Sequence, residues 1–213
     1  MHEIDDHLIT TAADLRARFP DINPLAVQKQ HTRLNRHDRA FIARAPFCLL
    51  ATSDGDGHLD VSPRGDPAGF VTVLDDETIA IPDRPGNNRL DSLTNILADP
   101  GVGLLFLIPG FDDTLRINGR ACITTAPSLL AGMAVRERAP TLAIVITIEE
   151  VFLHCAKALR RSALWSPDSI QDRSALPSLG AMVLEAAGGQ PAAPNAVAEA
   201  DAAVETAYRE KMY

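Results

Sequence analysis

The chain has 213 residues and a formal net charge of -8, and its 46% hydrophobic and 23% charged residues are typical of a soluble globular protein with a sizeable core. The negative charge and the lack of a basic, aromatic-rich stripe argue against a nucleic-acid partner. No apolar run is long enough to cross a bilayer, the acidic start is unlike a signal peptide, and the three cysteines form no CxxC pair, so we expect a cytoplasmic protein without membrane contact.

The first 43 residues are predicted to be helical. A helix is expected from about Asp5 to Phe19, with Leu8 and Leu15 on its apolar side, because apolar residues recur there at helical spacing. A second helix is expected from Pro24 to about Ala43. We therefore assign residues 1–43 to an N-terminal helical segment.

Seven strand-like segments follow, and short hairpin connections join many of them. They alternate with helices irregularly: four strands, a helix, two strands, a helix, a strand and a helix. This order lacks the regular alternation of a doubly wound sheet and favours a mainly β (α+β) fold, a closed or partly closed antiparallel barrel with flanking helices. The segments are FCLLATS, LDVS, GFVTVL, TIAIP, VGLLFLIP, DTLRINGRACITT and TLAIVITIEEVFLH.

The composition changes again after about Leu184. EAAGGQPAAPN is typical of a flexible linker, and NAVAEADAAVETAYREKMY predicts a last helix with a thin apolar stripe. This helix either docks on the body or on a second subunit, or frays in solution. The predicted units are thus a barrel domain at 44–184 and a linker with a helix at 185–213.

The segment IPDRPGNNRLDSLTNIL predicts an anion site. The strand TIAI stops at Pro82, a turn follows, and a helical pattern opens at about Asn88. The first turn of a helix offers free N–H groups, Asn88 is a candidate cap, and Arg89 adds a permanent positive charge. Together these features suit a phosphate, and the alternative is an ordinary capped helix. The apolar face of this helix would consist of Leu90, Leu93 and Leu97.

The motif SPRGD, residues 62–66, offers a second basic group. We expect it to form a sharp loop after a strand. Ser62 supplies a hydroxyl, and the guanidinium of Arg64 can hold a phosphate with two parallel hydrogen bonds. If the strands pair as predicted, Arg64 and Arg89 converge on one anion. The alternative for Arg64 is a surface ion pair with Asp66.

Five segments in this order resemble the pyridoxamine 5'-phosphate oxidase-like family of flavin-binding split barrels. They are VSPRGDPAGFV, IPDRPGNNRLDSLTNIL, VGLLFLIPG, DTLRINGRA and FLHCAKALRRSALW, and the resemblance spans roughly Pro24 to Gly180. It is greatest to a bacterial subgroup of uncharacterised members. It implies a six-stranded antiparallel split β-barrel with flanking helices that forms a homodimer, with FMN bound in clefts at the interface.

The resemblance also implies which residues hold the flavin. The phosphate positions correspond to Arg64, Asn88, Arg89 and Ser92, beside the hydroxyl of Ser62. The ring edge would meet the backbone of Ile81, Pro82 and Asp83. A polar contact would come from Thr114 or Arg116. The partner subunit or the end of the barrel would add Lys157, Arg161 and Trp165, although Trp165 is equally a packed anchor.

The function implied is a flavin-dependent oxidoreductase acting on a small-molecule substrate or electron donor, with the flavin ring carrying the redox chemistry. No catalytic acid or base is assigned, but Arg116, Lys157 or Arg161 could stabilise the reduced flavin. The arginine that true pyridoxamine phosphate oxidases carry near their C-terminus has no match here, so the family name does not identify the substrate.

Two alternatives use the same barrel. One is a non-catalytic protein that binds or stores flavin or haem, in which His154 would be the axial ligand of a haem. The other is a deazaflavin-dependent reductase. No metal site is expected, because His154 and Cys155 are adjacent on a strand and would point to opposite faces.

Overall fold

A seven-stranded antiparallel sheet forms the centre of the molecule in the computed structural model, which describes residues 4–213. The strands are β1 (Phe47–Ser53), β2 (Leu59–Gly65), β3 (Thr72–Val73), β4 (Thr78–Pro82), β5 (Gly101–Leu107), β6 (Thr114–Thr124) and β7 (Ala143–His154). Their spatial order is β2-β1-β5-β6-β7-β4-β3. All seven predicted strand segments are confirmed, and so is the mainly β, α+β class with flanking helices.

The six-stranded split barrel that the resemblance implied is not confirmed by this sheet. There are seven strands because Thr72–Val73 forms a short seventh one on β4. Within residues 4–213 the sheet is not closed, since β2 pairs only with β1 and β3 only with β4. The long strands β6 and β7 bend the sheet instead, with a register shift between Asn118 and Gly119 where a β-bulge increases the local twist.

Alternation along the strands places the core on one face of the sheet. In β1, Cys48 and Leu50 are fully buried, whereas Leu49 and Ala51 between them are partly exposed. The same alternation in the neighbouring strands builds a continuous apolar core. Its largest fully buried side chains include Leu104, Phe106, Leu115, Ile117, Ile144, Ile146 and Val151.

Eight α-helices flank the sheet, and none within residues 4–213 is both long and apolar enough to cross a membrane. Short 3-10 helices occur at Asp5–His7, Pro167–Ser169 and Arg173–Ala175. The helices are α1 (Ala12–Arg16), α2 (Pro24–Gln28), α3 (Arg36–Ile42), α4 (Asp91–Ala98), α5 (Pro127–Gly132), α6 (Lys157–Ser162), α7 (Leu179–Gly188) and α8 (Pro194–Glu210).

The prediction of two long N-terminal helices is wrong. The first region forms only a 3-10 turn and the five-residue α1, and Leu8 and Leu15 remain exposed. A short helix is marginal without a surface to pack on, and this segment buries no residue in a single chain. The second region divides into α2 and α3 because Asn35 starts a new helix through a capping box.

The last helix docks on the body instead of fraying. Gly180 in α7 lets α8 approach closely, since a Cβ there would lie 2.5 Å from Oδ1 of Asp201. The backbone N–H of Gly180 donates to that same oxygen at 3.0 Å. Helix α7 continues to Gly188, so the predicted linker is only the short segment 189–193. The division of the chain into three units stays a prediction.

A histidine–aspartate pair ties His31 to the buried side of α3 within the N-terminal segment. His31 Nδ1 lies 2.9 Å from the carbonyl oxygen of Lys29, and Nε2 lies 2.7 Å from Oδ2 of the buried Asp38. Both neighbours are oxygen acceptors, so the imidazolium, which donates from both ring nitrogens, fits this site best. Burial by itself lowers the pKa of His31, but the hydrogen bonds to Asp38 and Lys29 outweigh it and raise the pKa.

The stabilisation from His31 should therefore depend on pH. Because the folded pKa is raised above its ordinary value of 6.5, this stabilisation is fully present below pH 6.5 and is lost as the pH rises through the folded pKa. We expect the melting temperature of the wild type to exceed that of His31→Gln most at low pH, with the gap narrowing towards pH 8.5. His37→Gln, a change at an exposed histidine of α3, is the control. A gap that stays constant with pH would contradict the assignment.

Candidate functional site

A cleft of 480 Å³ lies between strand β2, the segment after β4 and the start of α4. Sites for small molecules are usually concave and of about 300–1,000 Å³. Seven of the predicted flavin-binding residues line this cleft. They are Ser62, Arg64, Pro82, Asp83, Asn88, Arg89 and Ser92.

Strand β2 supplies one wall of the cleft. The prediction that Ser62–Gly65 forms a loop is wrong. These residues continue β2 and pair with β1, with Arg64 opposite Cys48. Pro63 is tolerated because β2 is an edge strand, where a missing N–H leaves no pairing broken on the open side. Ser62 and Arg64 share the inner face with the buried side of β1, which directs them towards the cleft.

The guanidinium of Arg64 has one buried nitrogen that makes no hydrogen bond within residues 4–213. Nη1 donates to Oδ1 of Asp83 at 3.0 Å, and the two side chains are only 18% and 21% exposed. Nε is buried and has no partner among residues 4–213. A buried donor without an acceptor is unfavourable by about 1–3 kcal/mol, so this nitrogen suits a ligand acceptor. The alternative ion pair between Arg64 and Asp66 does not form.

Helix α4 begins at Asp91, three residues later than predicted. Asn88 and Leu90 have φ angles of 59° and 63°, in the left-handed region, and so cannot continue a helix backwards. Asn88 is therefore not the cap, and Leu90 occupies that position without a side-chain hydrogen bond. Arg89 precedes the helix and pairs with Asp91 at 2.7 Å, which raises the pKa of Arg89.

The buried face of α4 also differs from the prediction. Leu93 is buried, but Leu90 and Leu97 are 54% and 77% exposed. The residues of α4 that face the body are instead Ser92, Leu93 and Ile96. Ser92 Oγ donates to Oδ2 of Asp60 on β2 at 2.7 Å, which ties the start of the helix to the cleft wall.

Acidic side chains balance the arginines of the cleft. Each arginine has one carboxylate partner: Arg64 with Asp83, Arg84 with Asp66, and Arg89 with Asp91. An incoming anion must therefore compete for these donors. The Arg89–Asp91 pair is the easiest to exchange, since its side chains are 71% and 45% exposed and exposed pairs contribute little.

Arg84 is a cleft residue that the sequence interpretation missed. Its Nε donates to Oδ2 of Asp66 at 2.6 Å and its Nη2 to the carbonyl oxygen of Met133 at 2.7 Å. The side chains of Arg84 and Asp66 are only 15% and 2% exposed. The signal was available, because Arg84 lies inside the same DRPGNN turn as the predicted anion site.

Six predicted residues lie away from the cleft of the single chain. Ile81 is fully buried in the core, and Thr114 is buried opposite His154. Arg116 Nη2 donates to Glu150 at 2.6 Å, and Trp165 Nε1 donates to the carbonyl oxygen of Phe111 at 2.7 Å. The remaining two, Lys157 and Arg161, are on α6.

The chemistry of two further side chains is restricted by their surroundings. Burial raises the pKa of the Cys48 thiol to about 12, even beside Arg64, so it stays protonated. Burial, together with the charges of Arg116 and Lys29, lowers the pKa of His154. Among residues 4–213 no three His, Cys, Asp or Glu side chains group as a metal site would require.

A family model described as pyridoxamine 5'-phosphate oxidase matches residues 34–155, more than half of the chain. The chain belongs to this family. The match begins before α3 and ends after β7, so this family's region contains the whole sheet and the whole cleft. No curated protein sequence matches the chain.

Several solved structures are similar to this chain. HupZ from Group A Streptococcus is 19% identical with a TM-score of 0.46, over 56% of this chain and 93% of that one. General stress protein 26 from Bacillus anthracis str. Sterne is 16% identical with a TM-score of 0.41, over 55% and 93%. An FMN-binding protein from Syntrophomonas wolfei subsp. wolfei is 10% identical with a TM-score of 0.44, over 67% and 96%.

Proposed function

We propose that the protein binds FMN in this cleft and acts as a flavin-dependent oxidoreductase on a small-molecule substrate or electron donor. The observation that carries the proposal is Arg64, whose buried Nε lacks an acceptor at the wall of a cleft of suitable size. Family membership supports the same cofactor. The exposed free thiols of Cys122 and Cys155 suit a reducing cytoplasm, where we place the protein.

The residues of the cleft fit the phosphate end of FMN. Arg64 and Arg89 offer charged donors, and Ser62 adds a hydroxyl on the same wall. Bound FMN would supply the redox chemistry through its flavin ring. The protein's own contribution is to bind the phosphate, orient the ring and limit its contact with water. We expect the backbone of Pro82 and Asp83, which line the cleft, to meet the ring edge.

The absorption spectrum of the purified protein tests the cofactor. Flavin maxima in the near-ultraviolet and blue are expected, whereas an intense Soret band would indicate haem and contradict the proposal. The apo-protein should then be titrated with FMN and with riboflavin, which lacks the phosphate. FMN should bind about ten- to hundredfold more tightly, as expected from charge-assisted hydrogen bonds to the phosphate. Equal affinities would exclude a phosphate site.

We further propose a homodimer with the flavin at its interface. The outer face of β2, β1 and β5, which we call the outer sheet face, carries apolar residues that a single chain leaves uncovered. Val61 is 60% exposed, and Leu49 and Leu105, paired across the strands, are partly exposed. Exposed apolar patches of this kind mark interaction surfaces. Arg116, opposite Leu105, continues the same row, and its buried Nε is also without a partner among residues 4–213.

A charge on the outer sheet face should break this dimer. Val61→Asp would bury an unpaired carboxylate at the interface, an unfavourable change of about 3 kcal/mol that weakens association about a hundredfold. Sedimentation of the apo-protein measures the effect. Leu97→Asp, at a residue of α4 that is 77% exposed, is the matched control and should leave the dimer intact. A wild type that sediments as a monomer would contradict the proposal.

A further inference from the structure

Tyr213, which follows α8, packs against the outside of the cleft wall. Its hydroxyl donates to Oδ1 of Asp66 at 2.8 Å. Its ring has the guanidinium of Arg84 at 5.6 Å and that of Arg136 at 5.4 Å from the ring centroid. Arg138 Nη1 donates to the carbonyl oxygen of Tyr213. Tyr213 thus makes four separate contacts, although it lies 147 positions along the chain from Asp66.

These contacts lead from Tyr213 directly to a residue of the cleft. The two oxygens of Asp66 are shared, because Oδ1 accepts from Tyr213 and Oδ2 accepts from Nε of Arg84. Arg84 lines the cleft and is also held by the carbonyl oxygen of Met133. Its remaining guanidinium nitrogen, Nη1, has no protein acceptor among residues 4–213. Arg84 therefore has a fixed orientation, and its Nη1 is free to donate to a ligand.

We propose that Tyr213 is a positioning residue of the cleft, which through Asp66 orients Arg84 to donate a hydrogen bond to an anionic group of the bound ligand. This inference rests on the proposed function, with FMN as the ligand. The other two cleft arginines differ from Arg84. Arg64 is paired with Asp83 at the cleft itself, and Arg89 is largely exposed. Of the three arginines, only Arg84 has hydrogen-bond acceptors that lie outside the residues lining the cleft.

The arrangement has a physical purpose in ligand binding. A guanidinium that is already oriented loses little side-chain entropy when an anion arrives, so its contact with the ligand is stronger. The hydroxyl of Tyr213 also occupies Oδ1 of Asp66, which keeps that carboxylate in the orientation that accepts from Nε. Removing the hydroxyl should loosen Arg84 without removing any group from the cleft.

The test compares the two tyrosines of the chain. Tyr213→Phe removes the hydroxyl and keeps the ring, and it should weaken FMN binding about tenfold, as for one lost hydrogen bond. Tyr208→Phe changes an exposed tyrosine on α8 that does not line the cleft, and it should leave the dissociation constant unchanged. Equal affinities for wild type and Tyr213→Phe would overturn the inference.

A double-mutant cycle with Arg84 separates positioning from a general structural role. If Tyr213 acts through Arg84, then Tyr213→Phe has no further effect on FMN affinity once Arg84→Gln is present. Additive losses, or an Arg84→Gln variant that binds FMN as well as wild type, would overturn the inference. Should Arg84→Gln fail to fold, Arg84→Lys takes its place, since an ammonium cannot reproduce the fork. A wild type that binds no FMN would instead refute the proposed function.

Discussion

Replacing Arg64 with methionine is expected to weaken FMN binding about ten- to hundredfold, which corresponds to the loss of charge-assisted hydrogen bonds. Arg64 combines three properties that no other cleft residue shares: it is 18% exposed, it lies on a rigid strand, and its buried Nε has no protein acceptor. Its partner Asp83 is 21% exposed and keeps contact with water after the change. Apo stability should therefore fall by only about 1 kcal/mol. Titration with FMN and thermal melting of the same variant measure both effects.

Two further substitutions make the result specific. Arg64→Lys keeps the charge but not the planar fork, so it should recover only part of the affinity. Arg89→Ala should weaken binding less than Arg64→Met, because Arg89 is 71% exposed and already satisfied by Asp91. If Arg64→Met melts far below wild type yet binds FMN normally, then Arg64 is a structural residue and the site lies elsewhere.

The strands were predictable because their signal is local. Each carries alternating or continuous apolar residues between turn residues, as in Phe47–Ser53, and the burial of alternate residues in β1 follows that pattern. The segments of the cleft were predictable for a similar reason. SPRGD and IPDRPGNN combine basic residues with turn residues, and in the fold residues of both segments line the cleft.

The local geometry of the cleft was not predictable from the same residues. Pro63 and Gly65 are typical of a loop, yet they continue β2 because an edge strand tolerates proline. Leu90 takes a left-handed φ that sequence rules reserve for glycine or asparagine, which delays the start of α4. Strain of this kind is imposed by the surrounding structure and has no signature in the residue itself.

The partners of the arginines were beyond sequence reasoning altogether. Arg64 pairs with Asp83 instead of the nearby Asp66, because β2 ends at Gly65 and Asp66, just beyond it, meets Arg84. The contact of Tyr213 with Asp66 joins residues that lie 147 positions apart along the chain. Such pairs depend on topology, and a sequence pattern with a period of two to four residues carries no information about them.

Gly119→Ala is expected to destabilise the protein by about 3 kcal/mol, a large effect for one added methyl group. Gly119 is buried at the register shift between β6 and β7, against the backbone of Thr147. A Cβ there would lie 2.1 Å from the carbonyl oxygen of Thr147 and 3.0 Å from its carbonyl carbon. Backbone atoms of paired strands cannot rotate away as a flexible side chain could. For a chain of this size the melting temperature should fall by roughly 10 °C.

Gly132→Ala is the matched control, since Gly132 ends α5 and an added Cβ there has no atom within 4 Å. Alanine favours a helix over glycine, so this variant should melt at or slightly above the wild-type temperature. Because the bulge at Gly119 bends the two longest strands, its loss should also disturb the sheet that carries Arg116. If Gly119→Ala melts like Gly132→Ala, the strands are able to separate there, and the bulge does not fix the bend of the sheet.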